Sequence, residues 1–257
     1  MAVRPKKSLG QHFLKDGNIA RKMVGSLQHE QAASILEVGP GTGVLTQYLF
    51  PLGDHINLIE IDPESCAYLS GRFPERSGSI HCGDFLKADL SPLLVKPAAI
   101  IGNFPYFISS QIFFRILENR NIVDQVVCMI QKEVADRIRA LHGSRTYGIL
   151  SVLLQAWYDI EYLFRVPPQV FDPPPRVQSA VIRLKRNRQE FLDCDEELFF
   201  QVVKTAFNQR RKILRNSLKT RFQLPEEADE YCLLRPEQLS VAQFIRLTRL
   251  LWDQKSA

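Results

Sequence analysis

No stretch of this sequence is apolar for anything close to the ~18–20 residues that a membrane-spanning helix needs. The basic N-terminus, MAVRPKKSLGQHF, carries no apolar segment of the kind found in a secretory signal. Both absences lead to the expectation of a cytoplasmic protein with no membrane partner. Cysteine is scarce and scattered: Cys66, Cys82, Cys128, Cys194 and Cys232 are odd in number and never spaced C-x-x-C. This argues against a disulfide framework and a zinc site, and reads the cysteines as small buried hydrophobes. The five histidines make no H-x-x-x-H pair, so no metal is expected. Acids are missing altogether from 198–225, which carries Lys204, Arg210, Arg211, Lys212, Arg215, Lys219 and Arg221. Residues 1–22 hold Arg4, Lys6, Lys7, Lys15, Arg21 and Lys22 against Asp16 alone. The net charge of the whole chain is only +5, so positive charge is concentrated in two places, as in a protein that meets a polyanion.

What is present suits one good core with a smaller second domain: 257 residues, 45% hydrophobic and 24% charged. The chain is organised around Ile35 to Thr46, ILEVGPGTGVLT. Ile35, Leu36 and Val38 read as a buried strand, Gly39, Gly41 and Gly43 as a turn that lets backbone approach a ligand, and Val44 to Leu52 as a helix. The dinucleotide fingerprint is G-x-G-x-x-G, but its third glycine position here is Val44. With Glu37 the spacing is E-x-G-x-G-x-G, the pattern of S-adenosylmethionine-dependent methyltransferases.

Strand and helix patterns then alternate. His55–Glu60 is a second strand, followed by Ile61 and Asp62; Glu60 lies 19 residues beyond Gly41, where an acid can bind ribose hydroxyls. Ser79–Cys82 is a third strand that runs into Gly83, Asp84 and Phe85. Singly such acids are ordinary loop caps; two on successive strand tips beside the glycine turn make a pocket. Ala98–Gly102 is a fourth strand leading into Asn103-Phe104-Pro105-Tyr106. This tetrapeptide combines an acceptor, a stiff turn and a flat face on which a base can stack. Helix 109–118, strand 124–130, helix 131–141, helix 147–155 and strand 156–166 follow. Prolines stiffen 166–176 before a strand at 177–184 that pairs antiparallel, and Phe171 is placed to wall a base. The charged connection 185–195 ends a first domain at residue 185, with helices near 195–206, 209–220, 226–233 and 240–252 beyond it. On the second of these, Arg211, Arg215 and Lys219 recur at i, i+4, i+8 and read as phosphate contacts.

With these residues placed, the chain closely resembles the small-subunit ribosomal RNA adenine dimethyltransferases. The resemblance rests on KKSLGQHFLKD (6–16), ILEVGPGTGVLT, IEID (59–62), GDFL (83–86), NFPY, QKEVADRI (131–138), FDPPPRVQSAVIRL (171–184) and AFNQRRKILRNSL (206–218). It implies an α/β, Rossmann-like class I methyltransferase fold: a seven-stranded, mostly parallel sheet with an antiparallel last strand. A small all-α domain, 186–257, would follow residues 1–185. It further implies that S-adenosylmethionine lies against His12, Leu14, Gly39, Gly41, Glu60, Ile61, Asp84, Phe85 and Asn103. The target adenine would sit at Asn103, Pro105 and Tyr106. RNA would be met by Phe171, Arg210, Arg211, Lys212, Arg215 and Lys219. The implied substrate is two adjacent adenosines in a hairpin loop near the 3′ end of small-subunit RNA, inside a pre-assembled 30S-type particle, met by a monomer. Phe104 departs from the family's usual leucine and His12 from its frequent asparagine. A bulkier residue 104 would narrow the pocket. Rival readings are the macrolide-resistance methyltransferases of large-subunit RNA, a DNA adenine methyltransferase and a non-catalytic assembly factor.

Overall fold

The computed structural model describes residues 3–253. The chain opens with a two-residue strand, β1 (Phe13–Leu14), and helix α1 (Gly17–Gly25). Asp16 starts α1 by accepting from the backbone N–H groups of Asn18 (2.8 Å) and Ile19 (3.2 Å), a cap of about 1 kcal/mol. Alternation follows: β2 (Ser34–Val38), α2 (Thr46–Leu49), β3 (Ile56–Glu60), α3 (Pro63–Arg72), β4 (Ile80–Cys82) and β5 (Ala98–Asn103). Next come α4 (Ser109–Glu118), β6 (Val123–Gln131), α5 (Lys132–Ile138), α6 (Ile149–Gln155) and β7 (Tyr158–Val166). A second two-residue strand, β8 (Phe171–Asp172), precedes β9 (Ser179–Arg186). The remainder is helical: α7 (Glu196–Asn208), α8 (Leu214–Leu218), α9 (Asp229–Cys232) and α10 (Val241–Asp253).

Seven strands form one sheet in the order β4-β3-β2-β5-β6-β9-β7. The first five are parallel, and β9 runs antiparallel to β6, with Gln125 opposite Lys185. β2 and β5 are buried along nearly their whole length, as strands covered on both faces must be. The chain leaves β2 towards β3 and β4, then returns to lay β5 on the other side of β2. That reversal opens a crevice beyond the carboxyl ends of β2 and β5, where open α/β sheets bind ligands. Gly39 follows β2 and Asn103 ends β5, so both motifs face this crevice by topology. A separate two-stranded ribbon pairs β1 with β8, Phe13 opposite Asp172 and Leu14 opposite Phe171.

The chain divides into two compact units, residues up to 135 with 160–186, and 136–159 with those from 187 onward. The second unit therefore takes in a segment that lies before the 185/186 boundary drawn from charge. The reason is apolar: Leu150, Val152, Leu153 and Leu154 of α6 are all buried. Around them Tyr147 meets Phe207 edge-on at 6.1 Å, and Trp157 meets Phe199 edge-on at 5.9 Å. The expected helix over 209–220 is shorter, confined to Leu214–Leu218. Asn208 to Lys212 offer no apolar side chain to bury, and this run turns instead, Lys212 N–H donating to Gln209 O at 2.8 Å. Of Arg211, Arg215 and Lys219, only Arg215 thus lies within α8, and Lys219 caps its C-terminus.

The cysteine expectation also needs correction. Cys66 on α3 and Cys82 at the end of β4 are joined as a disulfide, their Cα atoms 6.0 Å apart. The two cysteines are 16 positions apart in sequence, and the chain between them folds back so that α3 packs beside β4, a closeness that spacing alone does not reveal. Among the described residues, no helix is long and apolar enough to cross a membrane. No group of three or more His, Cys, Asp or Glu residues there could hold a metal.

Gly102 on β5 has no room for a side chain: a Cβ would run into the backbone oxygen of Val38. We expect Gly102→Ala to cost roughly 2 kcal/mol through overpacking, read as a lower urea midpoint with an unchanged slope.

Candidate active site

The crevice holds an empty volume of about 760 Å³, with open solvent at its mouth included. Its floor is the glycine turn. Gly39 and Gly41 adopt left-handed φ values of 68° and 56°, which favour glycine. A Cβ on Gly39 would meet nothing within 4 Å, so the backbone there borders open space. A Cβ on Gly41 would lie 2.9 Å from the Phe13 ring, which rests on the turn. Gly43 instead packs against Leu69 and Phe73 and serves the core.

Two acids line the same crevice. Glu60 is nearly fully buried; its carboxylate accepts from Gly41 N–H and from Asp62 N–H, each at 2.9 Å. Burial pushes its pKa up, against the pull of those two N–H groups. Asp84 accepts from Leu86 N–H at 3.0 Å. Ile61, half exposed, and Phe85, buried, lie beside them.

Glu37, at the start of the glycine pattern, sits behind this floor. Burial pushes its pKa up to about 8, opposed by the Thr46 hydroxyl, which donates to it at 2.6 Å, and reinforced by Glu60. Its second oxygen has no partner. Burial thus favours the protonated form of this carboxyl in the folded chain.

The tetrapeptide at the tip of β5 is held by the N-terminal arm. The Asn103 amide donates to the His12 carbonyl at 3.0 Å. A carbonyl can only accept, so the amide must turn its NH2 branch to His12 and its oxygen away. The His12 ring stacks on Tyr106 with centroids 5.6 Å apart and planes 27° from parallel. His12 Nδ1 lies 2.6 Å from the Pro173 carbonyl, which by the same logic makes Nδ1 the protonated nitrogen. The Tyr106 hydroxyl and Ser179 Oγ are 2.5 Å apart, and burial pushes the phenol pKa up. Phe104 is buried edge-on against Phe113, centroids 6.0 Å apart, and is itself among the residues that line the crevice.

The arm itself is fastened at both ends. Lys6 pairs with the carboxylates of Asp62 and Glu64, the latter at 3.3 Å, and Gln11 Nε2 donates to Asp62 at 3.4 Å. Burial would push Asp62 up, but Lys6 and Gln11 hold its pKa below the ordinary carboxylate value. At the other end, Lys15 N–H donates to Val170 O at 2.8 Å.

Of the residues singled out from sequence, His12, Gly39, Gly41, Glu60, Ile61, Asp84, Phe85, Asn103, Pro105 and Tyr106 all line one crevice. Leu14 and Phe171 do not. Both are buried in the core, Phe171 fully, so Phe171 presents no wall to a base. Phe13 was missed and lines the crevice in place of Leu14. Successive residues of a strand face opposite sides, and in β1 that alternation sends Leu14 inward and Phe13 to the crevice. Gln11 was likewise missed, although the QHFL motif contains it. In the helical unit, Arg211, Lys212 and Lys219 are exposed. Arg210 pairs with Glu237 at 3.8 Å and donates to Arg145 O, and Arg215 pairs with Asp229 at 2.7 Å.

A model of the family described as "Ribosomal RNA adenine dimethylase" matches residues 2–244. The chain belongs to this family. A relative from Parabacteroides distasonis, "Ribosomal RNA small subunit methyltransferase A", is 54% identical, covering 96% of this chain and 93% of its own length. Among solved structures, a dimethyladenosine transferase from Plasmodium falciparum superposes with a TM-score of 0.77. Its identity is 24%, over 92% of this chain and 96% of that one, a likeness of fold. The 23S rRNA methyltransferase ErmE gives a TM-score of 0.67 and 25% identity, covering 92% of this chain and 99% of that one. The order β4-β3-β2-β5-β6-β9-β7 is thus the methyltransferase sheet of a ribosomal RNA dimethylase.

The Glu37 carboxyl has its own pH signature. Because its folded pKa is raised above the unfolded 4.5 to about 8, the unfolded chain loses this proton first as pH rises. Stability from this group is full below about pH 4.5 and falls until about pH 8. Glu37→Gln should remove that fall, gaining on the wild type by roughly a few kcal/mol between pH 5 and 8. Urea titrations at the two pH values check it; parallel pH dependence in both proteins would contradict a neutral Glu37.

Proposed function

We propose that this protein transfers methyl groups from S-adenosylmethionine to the exocyclic N6 amines of two adjacent adenosines. These lie in a hairpin loop near the 3′ end of small-subunit ribosomal RNA, within a pre-assembled 30S-type particle during its maturation. The observation that carries the reading is the Asn103 amide. Its NH2 branch is committed to His12, which leaves its oxygen to accept in the crevice that also holds Glu60 and Asp84.

The crevice fits the cofactor. The open space beside Gly39 would admit it against backbone, Glu60 retains lone pairs for ribose hydroxyls, and Asp84 can accept from the adenine amine. Ile61 and Phe85 offer apolar surface to that ring, and His12 and Phe13 close the crevice from the arm. When bound, S-adenosylmethionine supplies a methyl group on a positively charged sulfur, already strongly electrophilic. The protein's task is positioning and electrostatics.

The target amine is a poor nucleophile because its lone pair conjugates with the ring. Asn103 Oδ1 and the Pro105 carbonyl would accept its two N–H bonds and favour a pyramidal nitrogen. Pro105 O already accepts from Ile108 N–H at 3.2 Å and keeps a second lone pair. Tyr106, tethered through its hydroxyl to Ser179, would stack on the base and face the developing positive charge. The departing proton becomes acidic only once the nitrogen is alkylated, so no dedicated base is needed. A base paired or stacked in RNA must first be extruded. In this reading the unit made of residues up to 135 with 160–186 carries the chemistry, and the helical unit contributes RNA contacts. Arg211, Lys212 and Lys219 are the cations most available to phosphates; Arg210 and Arg215 would have to exchange ion-pair partners. The protein works as a monomer in the cytoplasm, without a metal.

The test is transfer of labelled methyl groups to under-methylated small ribosomal subunits, followed by nucleoside analysis. We expect dimethyladenosine at two per particle, and none with Asn103→Ala. Transfer to naked large-subunit RNA in place of subunits, or to no RNA despite cofactor binding, would overturn the reading.

A further inference from the structure

Phe107 is conspicuous because it is 62% exposed although it directly follows Tyr106. It lies in the one-turn segment Tyr106–Ile108 at the mouth of the crevice. One side of its ring is supported by the arm: a Cβ on Gly10 would lie 2.6 and 2.8 Å from ring atoms Cδ1 and Cε1. Gly10 itself lines the crevice. The rest of the ring faces solvent. The turn that packs Gly10 against the ring, closed by Gly10 N–H donating to Lys7 O at 3.0 Å, also carries the exposed Lys7. Its neighbour Lys6 is engaged by Asp62 and Glu64, whereas Lys7 makes no ion pair among the described residues.

A rigidly backed aromatic face beside an uncommitted cation is how proteins hold single-stranded nucleic acid, base on ring and phosphate on charge. Phe107 follows Tyr106 in the chain and packs on Gly10, which lines the crevice, so it stands on the side of the mouth from which a polynucleotide with its target adenine at Tyr106 can continue. We propose that Phe107 and Lys7 form a second subsite, holding the nucleotide that flanks the extruded adenine. Phe107 stacks on its base and Lys7 meets its phosphate; the inference rests on the RNA-methylating reading above. Since the two target adenosines are adjacent, the subsite would hold one while the other is in the crevice. It acts on substrate position, and Phe107 touches neither cofactor nor reacting atoms.

The experiment compares wild type, Phe107→Leu and Phe107→Trp on under-methylated small subunits, with KM and kcat separated and cofactor affinity measured by calorimetry. Leucine keeps apolar packing on Gly10 but removes the stacking face. We expect Phe107→Leu to raise KM for the RNA about ten-fold, with kcat and cofactor Kd essentially unchanged. Phe107→Trp should keep the wild-type KM and show quenched indole fluorescence when RNA binds. A wild-type KM in Phe107→Leu, or an effect confined to cofactor Kd, would overturn the subsite and leave the ring as a clamp on the arm. Wild-type protein that transfers no methyl groups would instead overturn the methylating reading, and the subsite with it.

Discussion

The hydrogen bond from the Asn103 amide to the His12 carbonyl joins two segments that the chain separates by 91 residues. Asn103 comes from the tip of a central strand, His12 from an arm that lies outside the main sheet. Everything around this bond serves to hold it. Lys6 and Gln11 grip Asp62, which also caps α3; β1 pairs with β8; and His12 is fixed a second time by Pro173. A side-chain amide left unconstrained presents donor and acceptor interchangeably. Bound to a group that only accepts, it presents its oxygen to the crevice, and that is the group an amine nucleophile requires.

Burial supplies the second constraint. Glu37 and Glu60 occupy neighbouring strands beneath the glycine turn, and both pKa values are raised by desolvation. Two buried carboxylates so near each other cannot both be charged cheaply. The structure separates their roles: Glu60 is satisfied by backbone N–H groups and lines the crevice, while Glu37 is turned into the core with only Thr46 for a partner. One acid faces a ligand and the other braces the floor.

Much of this was legible in the sequence because it is written in local spacing. The helix over 109–118 matches the structure residue for residue, since its apolar residues recur at helical spacing and bury one face. The acids at 60 and 84 were found by their place at strand tips. What escaped depends on pairing between distant segments. That Leu14 turns inward and Phe13 outward follows from the β1–β8 ribbon, which no two-residue pattern announces. Phe171 looked accessible among prolines, yet that ribbon buries it. The basic run at 208–212 looked helical by charge spacing, but it has nothing apolar to pack. The approach of Cys66 to Cys82 likewise arises only once α3 folds against β4.

The central claim is that Asn103 works because one branch of its amide donates to His12. Single-turnover methyl transfer by Asn103→Asp tests it most directly, with cofactor affinity measured alongside. Aspartate keeps the size and supplies acceptors but cannot donate to His12, and it places negative charge against that carbonyl. The account predicts a rate at least about 100-fold slower, the scale of losing one preorganised hydrogen-bonding group. A rate within a few-fold of wild type at unchanged cofactor affinity would contradict it, and would mean that any acceptor at this position suffices.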